Sequence, residues 1–342
     1  MGRVSRDPRG AIMKAVQYNK YGSTDVLELK DISQPIPKDN EVLVKIFATT
    51  VTPVDTTFRS GNPKFARLFT GLFKPRNPVL GTELSGVIDE VGANVTRFKT
   101  GDKVFAAAPG GFGAHAQYIC MSEDAAIVEI PQNLGFEDTA VICNGGLTAL
   151  PFLRDHARLQ AGQSILIIGA SGSIGTFAVQ LAANIGAEVT GVCSTANKDM
   201  VLALGATRVI DYTTEDFLKS GQTYDVIFDS VGKSTFGKCR PLLSPKGIYL
   251  TTVPDSGTML SPLFSRLSGG KRAKMAATGL RADDVKIEDM DILKEMIASG
   301  KLTTVIDRCY PLEQIATAHA YVEKGHKRGN LVITVSHEKS QI

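Results

Sequence analysis

The stretch Ser164-Ile-Leu-Ile-Ile-Gly-Ala-Ser-Gly-Ser-Ile-Gly175 joins a short apolar run to three glycines that stand three residues apart. The apolar run predicts a buried strand, and residues 176–185, which follow the last glycine, predict an amphipathic helix. Residues 159–187 carry no charge and exceed the ~20 residues of a membrane span. Glycines and serines in the middle of that stretch favour a strand, a turn and a helix instead.

The three glycines have separate roles in this prediction. Gly169 permits the tight turn, Gly172 lets the backbone approach a pyrophosphate, and Gly175 allows the helix to pack closely on the sheet. A glycine-rich turn without a ligand is the alternative. The strand before the turn and the helix after it are the context that the motif requires, so we predict a dinucleotide site here.

The alternation of strand and helix continues along the chain. Between residues 138 and 253, helical stretches separate five strand-like runs, at residues 164–168, 188–192, 208–210, 225–228 and 247–253. That alternation is typical of a doubly wound parallel sheet. Residues 13–132 instead contain short strands punctuated by Gly, Pro and Asp, which predicts a barrel-like β domain. The tail, residues 289–335, predicts helix, strand, helix and strand, and is too short to form a domain alone.

Composition excludes several classes of protein. A chain of 342 residues has room for about two domains. The count of 38 Lys and Arg against 35 Asp and Glu argues against a nucleic-acid partner. Five cysteines without C-x-x-C and five histidines without H-E-x-x-H argue against a metal site. From these counts we expect a reduced, cytoplasmic, metal-free protein. Residues 1–12 contain three arginines but lack the apolar core of a secretory signal, so we expect them to be an extension before Met13.

The residues after the second strand of the alternating region indicate which dinucleotide binds. An Asp or Glu there would bind the ribose 2′-hydroxyl and repel a 2′-phosphate, and this chain has neither at that point. Ser194, Asn197 and Lys198 offer a hydroxyl, an amide and a cation that can donate to a phosphate. NADPH is therefore favoured over NADH. The alternative is that Ser194 only caps a helix and Lys198 is solvated, and Asp199 weakens the argument for NADPH.

Motifs in a fixed order extend over residues 13–335. They are Lys14-Ala-Val, Thr52-Pro-Val-Asp55, Arg59-Ser-Gly61, Gly81-Thr-Glu83, Glu90-Val-Gly92, Gly101-Asp-Lys-Val104, Gly146-Leu-Thr148, the glycine turn, Leu204-Gly-Ala206, Val209-Ile-Asp-Tyr212, residues 225–232 (DVIFDSVG) and Gly329-Asn330. In these motifs the chain resembles the medium-chain dehydrogenase/reductase superfamily, and within it the zinc-independent quinone oxidoreductase or enoyl reductase branch. The resemblance implies an α/β fold with a GroES-like β-barrel catalytic domain over 13–137, a Rossmann domain over 138–282, and a return to the catalytic domain over 283–342. It also implies a homodimer.

The resemblance further implies positions that contact the cofactor. They are Thr148 at the nicotinamide, Ser171, Gly172, Ser173 and Ile174 at the pyrophosphate, Ser194, Lys198 and Tyr212 at the 2′-phosphate, and Val231, Thr252, Val253 and Asn330 as further contacts. Thr52 departs from the Asn that is common in this branch. Thr52 and Asp55 are the catalytic candidates, with Tyr18 and solvent as other sources of a proton.

Zinc-dependent relatives carry a cysteine near position 52 and a histidine where Thr82 stands, and this chain has neither. Only Cys120 and Cys143 follow, across a long interval, where a structural zinc would need four closely spaced cysteines. Hydride transfer without a Lewis acid needs an intrinsically electrophilic acceptor. The expected partner is therefore a small hydrophobic quinone or α,β-unsaturated carbonyl. We expect no nucleic acid and no stable membrane insertion.

Two other functions compete with this reductase. One is an alcohol dehydrogenase that holds zinc with atypical ligands. The other is a non-enzymatic NADPH sensor or an RNA-binding crystallin-like protein, which would bind NADPH without turnover.

Several further side chains and segments have expected roles. We expect Glu83 to pair with a nearby arginine such as Arg59, and His115 and His319 to be structural, with catalysis as the alternative for each. Residues 60–77 contain Phe65, Phe69 and Phe73, which would share one face of a helix, as a lid or as simple packing. Residues 260–275 are expected to be a mobile loop, with a second lid, a dimer contact and a membrane-surface patch as alternatives.

Overall fold

The computed structural model describes residues 10–253 and 270–337. The chain divides into two compact units. The first comprises Met1–Cys143, Asp283–Lys294 and Ile306–Ile342, and the second comprises Asn144–Ala282 and Glu295–Val305. The domain limits expected from the sequence, at 137/138 and 282/283, stay a prediction.

The strands coincide with β-branched and apolar runs. In chain order they are β1 (Ile12–Gln17), β2 (Glu28–Ser33), β3 (Glu41–Thr50), β4 (Glu83–Val91), β5 (Lys103–Ala107), β6 (Tyr118–Ser122), β7 (Ile127–Glu129), β8 (Ser164–Ile168), β9 (Glu188–Cys193), β10 (Arg208–Asp211), β11 (Tyr224–Asp229), β12 (Leu243–Thr251), β13 (Arg272–Met275), β14 (Ile306–Pro311) and β15 (Asn330–Thr334).

The helices follow the same order. They are α1 (Pro53–Ser60), α2 (Arg67–Thr70), α3 (Phe136–Ala140), α4 (Ile142–Pro151), α5 (Ser173–Ile185), α6 (Lys198–Ala203), α7 (Phe236–Cys239), α8 (Asp283–Ala298) and α9 (Ile315–Glu323). A π-helical turn, Phe152–Ala157, continues α4. Among the residues that the structure describes, no helix combines the length and the apolar character that crossing a membrane requires.

The second unit contains, within its described residues, a six-stranded parallel sheet in the order β10-β9-β8-β11-β12-β13. The central strand β8 is a run of apolar residues, and Ile165, Leu166 and Ile167 are fully buried. Such runs are expected where helices cover both faces of a sheet. The predicted doubly wound sheet is confirmed, and the uncharged stretch 159–187 holds β8 and α5.

The first unit contains a mostly antiparallel sheet in the order β14-β15-β3-β4-β5-β7, with β6 also paired to β3. Its core is a cluster of aliphatic side chains that includes Val42, Ile46, Leu84 and Ile333. The tail forms α8, β14, α9 and β15, as predicted. Because β15 pairs with β3, most of the tail rejoins the first unit.

Two sequence predictions need correction. A continuous helix over Phe65, Phe69 and Phe73 is wrong, because α2 ends at Thr70 and Gly71 follows with φ +125°. A loop over all of 260–275 is also wrong, because Arg272–Met275 form strand β13, paired in parallel with β12. Residues 260–269 lie outside the described residues, as do 1–9 of the expected extension.

Candidate functional site

One edge of the parallel sheet gathers most of the predicted cofactor positions. Since the strands are parallel, their carboxyl ends meet at that edge. The strands β8, β9, β10, β11 and β12 are followed there by Gly169, Ser194, Tyr212, Ser230-Val231 and Thr252-Val253. Asn330 differs, because it opens β15 and is buried in the first unit.

The glycine turn after β8 has the form expected of a phosphate-binding turn. Gly169 has φ +81°, and its N–H and that of Ala170 donate to Val192 O of β9 at 3.1 and 3.0 Å. The N–H of Gly172 then donates back to Gly169 O at 3.0 Å. Gly172 is the N-cap of α5 and has no side chain, so the N-cap residue itself offers no acceptor to the first turn of α5. The arrangement therefore fits an anionic pyrophosphate.

Substitution of Gly175 should affect folding, whereas substitution of Gly172 should affect cofactor binding. A Cβ at position 175 would lie 2.1 Å from Gly169 O, so we expect Gly175→Ala to lower the free energy of unfolding by about 2–3 kcal/mol. At position 172 the nearest atom is 3.4 Å away and φ is −82°, so Gly172→Ala should fold normally. Its methyl group would occupy the space that a phosphate needs, and the Kd for NADPH should rise about tenfold. Urea unfolding and fluorescence titration measure both quantities; equal stability losses would contradict this division.

Asn197 links the glycine turn to the loop after β9. Its side-chain amide donates to Ser171 Oγ and to Ser194 Oγ, both at 3.2 Å. Because both hydroxyl oxygens accept from Asn197, their own hydrogens remain available to donate elsewhere. The sequence indicated a phosphate contact for Asn197; in this structure it joins the two predicted phosphate-binding serines.

Asp211, at the end of β10, is an acid at this edge that sequence reasoning did not single out. Its carboxylate accepts from Thr195 Oγ1 at 2.5 Å, and from Thr213 Oγ1 at 2.6 Å and Thr213 N at 3.0 Å. These bonds, with a smaller contribution from Lys198, lower the pKa of Asp211. The side chain is buried and already paired, while Tyr212 beside it is exposed.

Asp229, at the end of β11, holds the next loop. Its Oδ1 accepts the N–H groups of Val231, Gly232 and Lys233 at 3.1, 2.8 and 3.3 Å. Its Oδ2 accepts from Ser234 N at 2.8 Å and from the Tyr249 hydroxyl at 3.1 Å. One fully buried carboxylate therefore fixes the loop that carries Val231.

The hydroxyl of Thr148 already has two partners in the second unit. It donates to Asn144 O, one turn earlier in α4, at 2.8 Å and accepts from Thr278 Oγ1 at 3.3 Å. A contact between Thr148 and the nicotinamide stays a prediction.

Thr52 and Asp55 form a capping box at the start of α1 in the first unit. Asp55 Oδ2 accepts from the backbone N and the hydroxyl of Thr52 at 2.8 and 2.7 Å, and Oδ1 accepts from Gly81 N at 3.1 Å. Both side chains are buried. Their bonds give them a clear structural role, and a catalytic role stays a prediction.

The chain was compared with known proteins. Residues 38–132 match the family model of the alcohol dehydrogenase GroES-like domain, and residues 204–333 match that of the zinc-binding dehydrogenase. The chloroplast envelope quinone oxidoreductase homolog of Arabidopsis thaliana is 32% identical over 336 residues, which cover 95% of this chain and 99% of that protein. The chain belongs to the medium-chain dehydrogenase/reductase family, in its quinone oxidoreductase branch.

Solved structures from this family superpose over nearly the whole chain. The quinone oxidoreductase from Coxiella burnetii has a TM-score of 0.84 and 30% identity, covering 95% of this chain and 100% of its own. The quinone oxidoreductase of Escherichia coli, complexed with NADPH, has a TM-score of 0.82 and 26% identity, covering 94% and 99%. The resemblance and the fold class expected from the sequence are confirmed.

One matching family model is described as a zinc-binding dehydrogenase. Whether this chain can bind zinc depends on which side chains could coordinate the metal. In residues 10–253 and 270–337, no three His, Cys, Asp or Glu side chains lie close enough together to hold a metal ion. Thr82 Oγ1 is buried and has no partner among these residues. Burial raises the pKa of the Cys143 thiol well above its ordinary value, which disfavours the thiolate that zinc binds.

The expected pairing of Glu83 with Arg59 is wrong. Arg59 lies in the last turn of α1, which packs against α9, and its Nη2 pairs with Glu323 of that helix. Glu83 accepts instead from Thr50 Oγ1 at 2.6 Å. Sequence distance explains the miss, since Arg59 and Glu323 are 264 positions apart.

His115 and His319 lie in the interior of the first unit. Their rings meet edge to face at 5.8 Å, and His115 Nε2 donates to Thr50 O at 2.8 Å. Among the described residues, His115 Nδ1 and both nitrogens of His319 have no hydrogen-bond partner. Burial lowers the pKa of His115, although Asp55 opposes that change. Burial, with His115 and Arg59, lowers the pKa of His319 well below its ordinary value.

These shifts predict sensitivity to mild acid. The folded-state pKa lies below the unfolded value of about 6.5, so the unfolded chain binds protons first and the free energy of unfolding falls as pH drops below about 6.5. We expect His319→Leu to remove part of that fall. Urea unfolding between about pH 7.5 and 5.5 measures it, with the exposed His326→Leu as control. Parallel pH profiles for the two variants would contradict the assignment.

Proposed function

We propose that this chain is an NADPH-dependent reductase that transfers hydride, without zinc, to a hydrophobic quinone or α,β-unsaturated carbonyl. Its family makes it an oxidoreductase. The observation that carries the choice of NADPH is the loop after β9, where Asn197 orients Ser171 and Ser194. The acid that could compete, Asp211, is occupied by Thr195 and Thr213.

Most of the residues proposed to hold the cofactor lie in the second unit. The first turn of α5 would hold the pyrophosphate, and Ser194, Lys198 and Tyr212 would hold the 2′-phosphate. Val231 and Val253 are about two-fifths exposed and present apolar surface that would exclude water beside the ligand. When bound, NADPH supplies the hydride. Roles for Thr148 and for Asn330 of the first unit belong to this proposal.

The absence of zinc from the proposed mechanism follows from the side chains. The positions that hold zinc ligands in relatives carry Thr52 and Thr82 here, and the Thr52 hydroxyl is committed to Asp55. Without a Lewis acid, catalysis depends on orientation and on an acceptor that is electrophilic by itself. Quinones and α,β-unsaturated carbonyls meet that requirement, whereas ordinary ketones and aldehydes need a Lewis acid to polarise them.

The test is turnover of the purified full chain with NADPH or NADH against quinones and enones, and with NADP+ or NAD+ against simple alcohols, each with and without a chelator. We expect oxidation of NADPH by quinones or enones that the chelator does not change. Alcohol oxidation that the chelator abolishes would replace the proposal with a zinc alcohol dehydrogenase. Tight NADPH binding without turnover on any acceptor would replace it with the sensor. The cytoplasmic location and the homodimer stay predictions.

A further inference from the structure

The first unit exposes a concentrated group of large apolar side chains in residues 64–76, which we call the apolar segment. Five lie within nine positions, at Phe65, Leu68, Phe69, Leu72 and Phe73. Phe73 is 94% exposed and Leu68 65%. Single exposed apolar residues are ordinary on protein surfaces, but a contiguous group marks an interaction site.

Contacts below the apolar segment hold it in place. Ala66 and Thr70 are buried, and the Tyr21 hydroxyl bonds Thr70 Oγ1 at 2.7 Å and donates to Gly71 O. Arg67 stacks on the Tyr21 ring at 4.6 Å and donates to Gly61 O at 3.1 Å. These contacts tie the segment to Tyr21 and Gly61, and a lid that moved would have to break them.

The charged residues within the apolar segment and beside it along the chain have one sign. Residues 60–82 contain four cations and no Asp or Glu, in a chain whose overall charge is only +3. Lys64, Lys74 and Arg76 are exposed, and no ion pair joins any of them to another residue of the described ranges. Cations beside exposed Phe and Leu complement a bilayer surface, where anionic headgroups lie above the acyl chains.

We propose that the apolar segment is a membrane-binding surface, which docks the first unit on a bilayer that contains anionic lipid. Phe and Leu side chains enter the boundary between headgroups and acyl chains, and Lys64, Lys74 and Arg76 lie among the headgroups. A protein partner would need matching carboxylates, and a substrate lid gains nothing from these cations. This proposal is independent of the proposed function, because lipid binding is measured without cofactor or acceptor.

The experiment is flotation of the full chain with vesicles of phosphatidylcholine, with and without phosphatidylglycerol. We expect binding to the anionic vesicles that weakens with salt. The double variant Leu72→Ser/Phe73→Ser should lower the partition coefficient of the protein onto vesicles at least about tenfold. The double variant Lys74→Gln/Arg76→Gln should lower it about 10- to 30-fold, and only on anionic vesicles. Ile12→Ser/Ile36→Ser, which changes two exposed apolar residues elsewhere in the first unit, should bind normally.

All four altered positions of the apolar segment are exposed, so unchanged circular dichroism and Tm are expected for its variants. Three results would overturn the proposal. One is no flotation with either vesicle. Another is an equal loss of binding in the Ile12/Ile36 control. The third is an effect of Leu72→Ser/Phe73→Ser on something other than lipid binding. A change in oligomeric state alone would assign the segment to contact with a second copy of the chain, and a change in the KM of a water-soluble quinone alone would assign it to a substrate lid.

Discussion

Ser194→Asp is expected to raise the Kd for NADPH by about 100- to 1000-fold and to leave the Kd for NADH within a few-fold. The new carboxylate would stand at the end of β9, where it repels a 2′-phosphate and accepts from a ribose 2′-hydroxyl. Fluorescence titration with both dinucleotides measures the change.

The control for this prediction removes the hydroxyl without adding charge. Ser194→Ala should weaken NADPH by only about 5- to 10-fold, because it deletes one donor to a phosphate. Lys198→Ala should also weaken NADPH and leave NADH unchanged. If Ser194→Asp weakened both dinucleotides equally, the loop after β9 would have a structural role and no part in choosing the cofactor.

Asp229→Ala is expected to lower the free energy of unfolding by at least about 4 kcal/mol. Its carboxylate is fully buried and accepts five hydrogen bonds, so its removal leaves four backbone N–H groups and the Tyr249 hydroxyl without that acceptor. Urea unfolding measures the loss. Asp124→Ala, at an exposed position between β6 and β7, should change stability by less than about 0.5 kcal/mol.

A second substitution keeps this prediction testable if Asp229→Ala does not fold. Asp229→Asn retains one acceptor oxygen, so it should fold, lose less stability and weaken NADPH binding, since the Val231 loop is then held by fewer bonds. A stability for Asp229→Asn equal to that of the unaltered chain would show that the loop is held by other contacts.

The parts of this chain that the sequence predicted are those set by local sterics and periodicity. Gly169 and Gly175 were identified because a left-handed turn and a close backbone approach exclude a Cβ wherever they occur. The parallel sheet followed from apolar runs that alternate with helices. These signals are contained within about a dozen neighbouring residues, so they can be recognised without knowing the rest of the fold.

Side-chain pairing was not predictable in the same way. Asp211 is occupied by Thr195, 16 positions earlier, and Asp229 accepts from Tyr249, 20 positions later. Neither pair forms a pattern in the sequence, because the strands that bring each pair together are neighbours only in the folded sheet. Arg59 and Glu323 have the largest separation of these pairs, 264 positions along the chain.

Helix ends set another limit. Phe65, Phe69 and Phe73 have helical spacing, but a Cβ at Gly71 would lie 2.2 Å from Lys74 O, and the chain turns there. Periodicity predicts which face residues would share if a helix continued. It does not report the local turn, with Gly71 at positive φ, that ends the helix.

The Asn197 amide has a consequence for ligand fragments. It ties Ser171 of the pyrophosphate turn to Ser194 of the adenosine end, so a ligand that orders one serine also restricts the other. The loss of conformational entropy on ordering both serines then occurs when the first end of the ligand binds, and the second end binds to a site that is already ordered. An adenosine 2′,5′-bisphosphate fragment should therefore preorganise the turn for the remainder of the dinucleotide, and the intact molecule gains affinity that its separate halves lack.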